Sequence, residues 1–248
     1  MAEITRIFYP SYLEIGMTLH LSEEESHHIY KVLRGRAGDK VEAVDSVGRL
    51  FVAELTGVEE ATVLEERATT GAYGETVTLY QAVPKGRRMD LVVEKTTELG
   101  VGSIVPLATK HGVAKILEGD GKTRRWRRVA EAAARQALRL RVPEVKEVTS
   151  FAQAVREAGE SGVLLHNGLN LPPLEDVLLE PVLSLFVGPE GGWSAGELEM
   201  ARESGLVFAS LGPYRLRSET AGIVAVGRTC AVLELSRSVG GNRRSRML

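Results

Sequence analysis

The sequence predicts a small β-barrel over residues 1–71, followed by an α/β domain on a largely parallel sheet over residues 72–248. Three observations support this. The first seventy or so residues hold short apolar runs separated by Gly-containing turns, the pattern of a small barrel. Further on, strand-like and helix-like stretches alternate, which implies parallel strands covered on both faces. Between the two patterns, "ATTGAYGET" (68–76), rich in Thr and Gly, reads as a linker.

In order, "RIFYP", "TLHLS", "DKVEAVD", "GRLFVAEL" and "TVLEE" are the barrel strands. One helix interrupts them: Ser22 followed by Glu25 is a capping-box signature, and Ile29, Val32 and Leu33 would form its apolar face. After the linker come the strand "TVTLYQAV", the helix "RMDLVVEKTTELG" stopped by Gly100, and the strand "SIVPL". A long helix, "TRRWRRVAEAAARQALRL", places Trp126, Val129, Ala133, Ala137 and Leu140 down one side. Then follow a helix capped by Ser150 and Gln153, and the strands "GVLLHN" and "VLSLFVG". A helix capped by Ser194 and Glu197, the strand "LVFASLG" and a final helix from Ser218 complete the chain.

Composition bounds the function. With 248 residues and 44% hydrophobic content the chain can bury a full core, and disorder, collagen and coiled coil describe it poorly. No apolar run is long enough to span a membrane, "MAEITRIFYP" lacks a signal-peptide core, and the single Cys230 fits a reducing cytoplasm. Charge is uneven beneath a net −2: residues 1–71 hold 7 Lys/Arg against 13 Asp/Glu, and the remainder 24 against 20. Residues 110–146 concentrate 11 cations against 4 acids, and "RSVGGNRRSRML" ends the chain with four arginines. Such clusters attract polyanions, although a solvated helix face has the same composition. His20, His27 and His28 lack zinc-site spacing, so no metal is expected.

Ligands of parallel sheets bind where loops leave the carboxyl ends of strands. Two such loops, "FVGPEGGWS" and "SLGPYRLRSETA", each place Gly-Pro just after an apolar run. Glycine permits close backbone approach and proline stiffens the turn, so exposed peptide groups can read a planar heterocycle. As a lone pattern, each loop is also what a tight strand–helix connection needs. Neither has the G-x-G-x-x-G or G-x-x-x-x-G-K-[ST] spacing of nucleotide cradles, which argues against a nicotinamide-dependent oxidoreductase.

Together with "HHIYKVLRGRAGD" (27–39), "VEKTTELGV" (93–101) and "RVPEV" (141–145), the stretches "GPEGGWSAGE" (188–197) and "LGPYRLRSETA" (211–221) carry a family resemblance. The chain resembles the 16S rRNA (uracil-N3)-methyltransferases of the RsmE type, in the SPOUT superfamily of knotted methyltransferases, over nearly its whole length. The resemblance implies a PUA-like RNA-binding barrel, then an α/β domain with a C-terminal trefoil knot that binds S-adenosylmethionine, and a homodimer acting on 16S rRNA of the small ribosomal subunit. A non-catalytic RNA-binding assembly protein on the same fold is the alternative, against which the intact "GPEGG" and "LRSETA" loops speak.

Residue by residue, the resemblance implies cofactor contacts from Leu165, His166, Gly188, Pro189, Glu190, Gly191 and Gly192, and from Leu211, Gly212, Leu216 and Arg217. Arg217 is the candidate for stabilising a uracil anion and Glu219 for accepting the N3 proton; a first-turn carboxylate is also what the helix dipole favours, so a capping role stays open. Arg6, His28, Lys31, Arg34, Arg36, Lys85, Arg87, Arg88, Arg139 and Arg141 are carried over as RNA contacts. The chain departs from the family at Leu138, where a glycine is usual, and at Ser218, where threonine is usual and the hydroxyl is kept.

Overall fold

The structure, a computed structural model, describes residues 5–68, 76–112, 121–168, 170–178 and 183–244. Most of the linker read at 68–76, with the domain boundary placed in it, and the tail arginine Arg246 lie outside the described residues. The first elements are β1 (Arg6–Phe8), β2 (Thr18–His20), α1 (Glu23–His27), β3 (Lys40–Val44), β4 (Leu50–Gly57) and β5 (Glu60–Arg67). They are followed by β6 (Val77–Ala82), α2 (Arg88–Glu98), β7 (Ser103–Ala108), α3 (Lys122–Gln136), β8 (Glu144–Val145), β9 (Thr149–Ser150) and α4 (Phe151–Ala158). The chain continues through β10 (Gly162–Leu165), β11 (Leu183–Val187), α5 (Ala195–Glu203), β12 (Val207–Ala209) and α6 (Ser218–Arg244). By contacts it divides into two units, residues 1–72 with 134–141, and 73–133 with 142–248.

In the first unit the strand order is β1-β3-β4-β5-β2, with β1 parallel to β3 and the other pairs antiparallel. Val41 and Ala43, Phe51, Ala53 and Leu55, and Ala61 and Val63 point to one core with Ile7, Leu19 and Ile29; the spacing of two is that of strands with one inward face. The capping box at Ser22 and Glu25 forms. The helix then changes pitch: residues 28–32 make a π-turn, with the Leu33 N–H donating to His28 O at 3.0 Å. An i→i+5 bond widens the turn, so Ile29 stays buried while Val32, expected on the same apolar face, is 58% exposed.

The stretch 134–141 packs in this unit, and it begins where α3 stops. Leu138 takes φ +53, its N–H donates to Arg135 O, and Arg139 N–H donates to Ala134 O. This is a Schellman end with leucine in the left-handed position that glycine usually fills. Ala137 and Leu140, expected along the helix, therefore lie beyond it. Arg6 pairs with Glu42 and donates to the carbonyls of Leu138 and Arg139.

The second unit is a parallel seven-stranded sheet in the order β12-β10-β11-β6-β7-β8, with β9 also paired to β7. Adjacent residues along its strands serve opposite faces. Leu79, Ile104, Val163 and Leu185 join Val92, Val93, Trp126, Ala225 and Val226 of α2, α3 and α6. Their neighbours Tyr80, Val105, Leu164 and Phe186 join Phe151, Val155 and Ala201 of α4 and α5. Burial on both faces explains why these strands read as nearly continuous apolar runs. No helix among the described residues is long and apolar enough to cross a membrane.

Candidate active site

Because the strands are parallel, the carboxyl ends of β6, β10, β11 and β12 reach one edge in register: Leu165 pairs with both Val187 and Ala209, and Val187 with Gln81. The loops after β10, β11 and β12 surround a cavity of about 950 Å³ there, a size suited to a small organic ligand. Its lining combines glycines and prolines of the loops with apolar residues such as Leu165, Leu171, Val187 and Leu216, and Glu190, Arg215 and Arg228 add charge. Gly192 (φ +72) and Gly212 (φ +123) need the left-handed backbone region, and a Cβ on either would meet nothing within 4 Å among the described residues. The loops thus present bare backbone beside open space.

A short chain of buried hydrogen bonds sets the loops against each other. Ser218 Oγ donates to Gly188 O at 2.6 Å and accepts from Gln81 Nε2 at 2.9 Å, while Gln81 Nε2 also donates to Ala82 O. Ser218 is 5% exposed and Gln81 fully buried, so these bonds do not compete with water. Trp193 Nε1 donates to Leu165 O at 3.0 Å, joining the β11 loop to the end of β10. On the far wall Arg228 pairs with Glu175 and donates to Leu211 O at 2.8 Å. The hydrogen bonds from Arg228 outweigh partial burial and hold the Glu175 carboxyl below its ordinary range.

Leu165, His166, Gly188, Pro189, Glu190, Gly192, Leu211, Gly212 and Leu216 line the cavity; Gly191 and Arg217 do not. A Cβ on Gly191 would meet His111 Cβ at 2.9 Å, so the close approach there is to the protein itself, and His111 Nδ1 lies 3.1 Å from Gly192 O. Arg217 directly precedes α6 and is exposed. Glu219, 7% exposed, sits in the first turn of α6 outside the cavity lining. One of its oxygens lies 3.5 Å from Arg88 Nε, while its Oε2 is buried without a hydrogen-bond partner among the described residues.

Among the expected RNA contacts, His28, Lys31, Arg34, Arg36, Lys85, Arg87, Arg88 and Arg141 are exposed. Arg6 and Arg139 are not: each is 8% exposed. The Arg6 guanidinium holds Glu42 to the 138–139 turn, so it acts as an internal clasp and is not presented to a polyanion. Arg88 donates to Glu190 Oε1 at 3.3 Å besides its contact with Glu219. Sequence reasoning missed Gln81 and Arg228. The one signal for Gln81 was an amide inside the apolar run "TVTLYQAV", where a polar side chain needs a partner. Nothing local marked Arg228 out from other helical arginines.

Comparison with known proteins adds independent findings. The chain matches the family described as RNA methyltransferase domain over residues 73–229 and the RNA methyltransferase PUA domain over residues 21–65. It is 35% identical over 240 residues to a protein of Mycobacterium bovis named ribosomal RNA small subunit methyltransferase E, covering 90% of each chain. A protein of the same name from Synechocystis is 33% identical over 229 residues, covering 89% of this chain and 75% of the other. Among solved structures, ribosomal RNA small subunit methyltransferase E from Neisseria gonorrhoeae, bound to S-adenosyl methionine, superposes with a TM-score of 0.85. It shares 28% identity, over 93% of this chain and 98% of that one.

Proposed function

The chain belongs to the ribosomal RNA small subunit methyltransferase E family, and from that premise we propose how its cavity and surrounding residues work. The enzyme uses S-adenosylmethionine to methylate RNA of the small ribosomal subunit. The atom we assign as the acceptor is N3 of a uridine. The observation that carries the reading is the cavity between the 188–193 and 210–216 loops, set by the Ser218 bond to Gly188.

The residues fit the cofactor. Bare backbone at Gly192 and Gly212 leaves room against the wall, Leu165, Leu171, Val187 and Leu216 offer apolar surface, and Glu190, Arg215 and Arg228 supply charge for a zwitterionic tail. When bound, S-adenosylmethionine supplies an electrophilic methyl group on a sulfonium. We assign Leu165, His166, Gly188, Pro189, Glu190, Gly192, Leu211, Gly212 and Leu216 to holding it, with Gly191 acting from behind through His111.

Uracil N3 carries a proton and becomes a competent nucleophile only when that proton leaves. Charge then spreads over N3 and both carbonyl oxygens, and a guanidinium beside the ring favours that anion. Arg217 suits this role because it is exposed and flanked in sequence by the cavity-lining Leu216 and Ser218. Glu219 is assigned to take the proton through water, supported by the buried Oε2 that no donor among the described residues occupies.

His28, Lys31, Arg34 and Arg36, exposed within one short segment of an otherwise acidic unit, are the proposed RNA grip, with Lys85, Arg87 and Arg141. A homodimer belongs to the same proposal, supported by Leu91 and Leu235, 43% and 66% exposed on the mutually packed α2 and α6. The trefoil knot is also part of it, supported by β10 lying between β11 and β12. The test is incubation with small ribosomal subunits and methyl-labelled S-adenosylmethionine, then mapping of the modified base. Label on N3 of one uridine is expected; label on another atom refutes the assignment of N3, and no incorporation refutes the reading.

A further inference from the structure

Arg88 is the first residue of α2, and its guanidinium reaches two carboxylates that come from different parts of the site. Nη1 donates to Glu190 Oε1 at 3.3 Å, and Nε lies 3.5 Å from Glu219 Oε1. Glu190 lines the cavity on the loop after β11, whereas Glu219 belongs to the first turn of α6. The same Glu190 oxygen also accepts from the Lys85 N–H at 3.3 Å, tying it to the segment that leads into α2. We propose that Arg88 is a positioning residue for methyl transfer, holding the cofactor loop through Glu190 and the proton-accepting carboxylate of Glu219 in one fixed arrangement.

The inference rests on the methyl-transfer reading above. Its physical basis is the balance of charge and exposure. Glu219 is 7% exposed and Arg88 is the one cation in an ion pair with it among the described residues. A buried carboxylate without a cation relaxes toward water, and the first turn of α6 would relax with it. Arg88 itself is 43% exposed in its side chain, so its pairs contribute little to global stability. What they fix is geometry: a guanidinium is a rigid fork able to hold two acceptors at a set angle, which an ammonium cannot do. The contacts of Arg88 are accordingly internal to the site, although by charge and exposure it resembles a phosphate-binding residue.

The two roles separate in steady-state kinetics with small ribosomal subunits. Arg88→Ala is expected to lower kcat about 10- to 100-fold, the scale of a reacting group displaced by about an ångström. KM for the subunit and Tm should stay close to the parent's, and Kd for S-adenosylmethionine should rise only slightly, because Glu190 keeps its bond from the Lys85 N–H. Arg88→Lys, which keeps the charge but not the fork, should recover part of kcat. Arg88→Gln is measured alongside, so that poor folding of the alanine variant leaves a second substitution to decide. Raised KM with unchanged kcat in these variants would make Arg88 a phosphate contact and overturn the proposal, as would kcat equal to the parent's. A parent enzyme that transfers no methyl at all would instead overturn the functional reading, a result distinct from an active parent matched by its variants.

Discussion

Replacing Ser218 by alanine tests the link on which the cavity wall depends. The hydroxyl is buried and joins Gln81 Nε2 on one side to Gly188 O on the other, at 2.9 and 2.6 Å. Gln81 keeps its second acceptor, Ala82 O, when the hydroxyl goes; the Gly188 carbonyl loses this donor. Two hydrogen bonds go with the hydroxyl, each with a net value of about 1 kcal/mol, so the substitution costs about 2 kcal/mol. For a chain of this size that lowers Tm by about 4–8 °C. The Gly188 carbonyl would also be free to turn, and calorimetry should show a Kd for S-adenosylmethionine raised about tenfold, equivalent to about 1.4 kcal/mol. Ser218→Thr keeps the oxygen and should preserve both quantities. If Ser218→Ala melts within about 1 °C of the parent and binds the cofactor equally well, the bond is incidental and the account of how the loops are held is wrong.

Leu138→Gly should stabilise the protein by about 0.5–1 kcal/mol in denaturant unfolding, because φ +53 strains a leucine but not a glycine; its side chain is 45% exposed and loses little packing. A destabilised variant would show that leucine packing outweighs the backbone strain. Gly222→Ala drives a Cβ into Gln81 Oε1, so the amide must turn away from Ser218; cofactor affinity should fall as in Ser218→Ala, and unchanged affinity would mean that the amide has another resting place. Glu175 is held below its ordinary range by Arg228, so the stability it contributes is present above the unfolded carboxylate value and disappears as pH falls through the lowered folded one. Urea midpoints of the parent and Glu175→Gln should therefore differ near neutral pH and converge as the pH falls below the ordinary carboxylate range; a gap that persists in acid would point to packing, not charge.

Much of this protein can be read along the chain because its signals are short-range. Apolar runs with spacing of two mark the barrel strands, and Ser22 with Glu25 and Ser194 with Glu197 mark helix starts that form as capping boxes. Both Gly-Pro loops stand out because glycine and proline restrict the backbone wherever they occur. Two-residue strands such as β8 and β9 leave too few side chains for any periodicity. The π-turn at residues 28–32 differs from an α-helix by one hydrogen-bond register, and hydrophobic spacing alone does not separate the two.

What the tertiary structure alone decided is which polar groups meet. Gln81 and Ser218 are 137 residues apart, Arg6 and Arg139 133, and no local pattern carries such distances. Arg6, Arg88 and Lys31 are equivalent as cations in a sequence, yet one is buried on Glu42, one spans Glu190 and Glu219, and one is exposed. A side chain's charge is set by its chemistry, but whether it faces solvent, a substrate or another side chain depends on desolvation and pairing that exist only once the strands are ordered and the loops are brought to one edge. The sequence therefore determined the elements, their order and the loops that build the site; folding selected the residues that hold those loops in place.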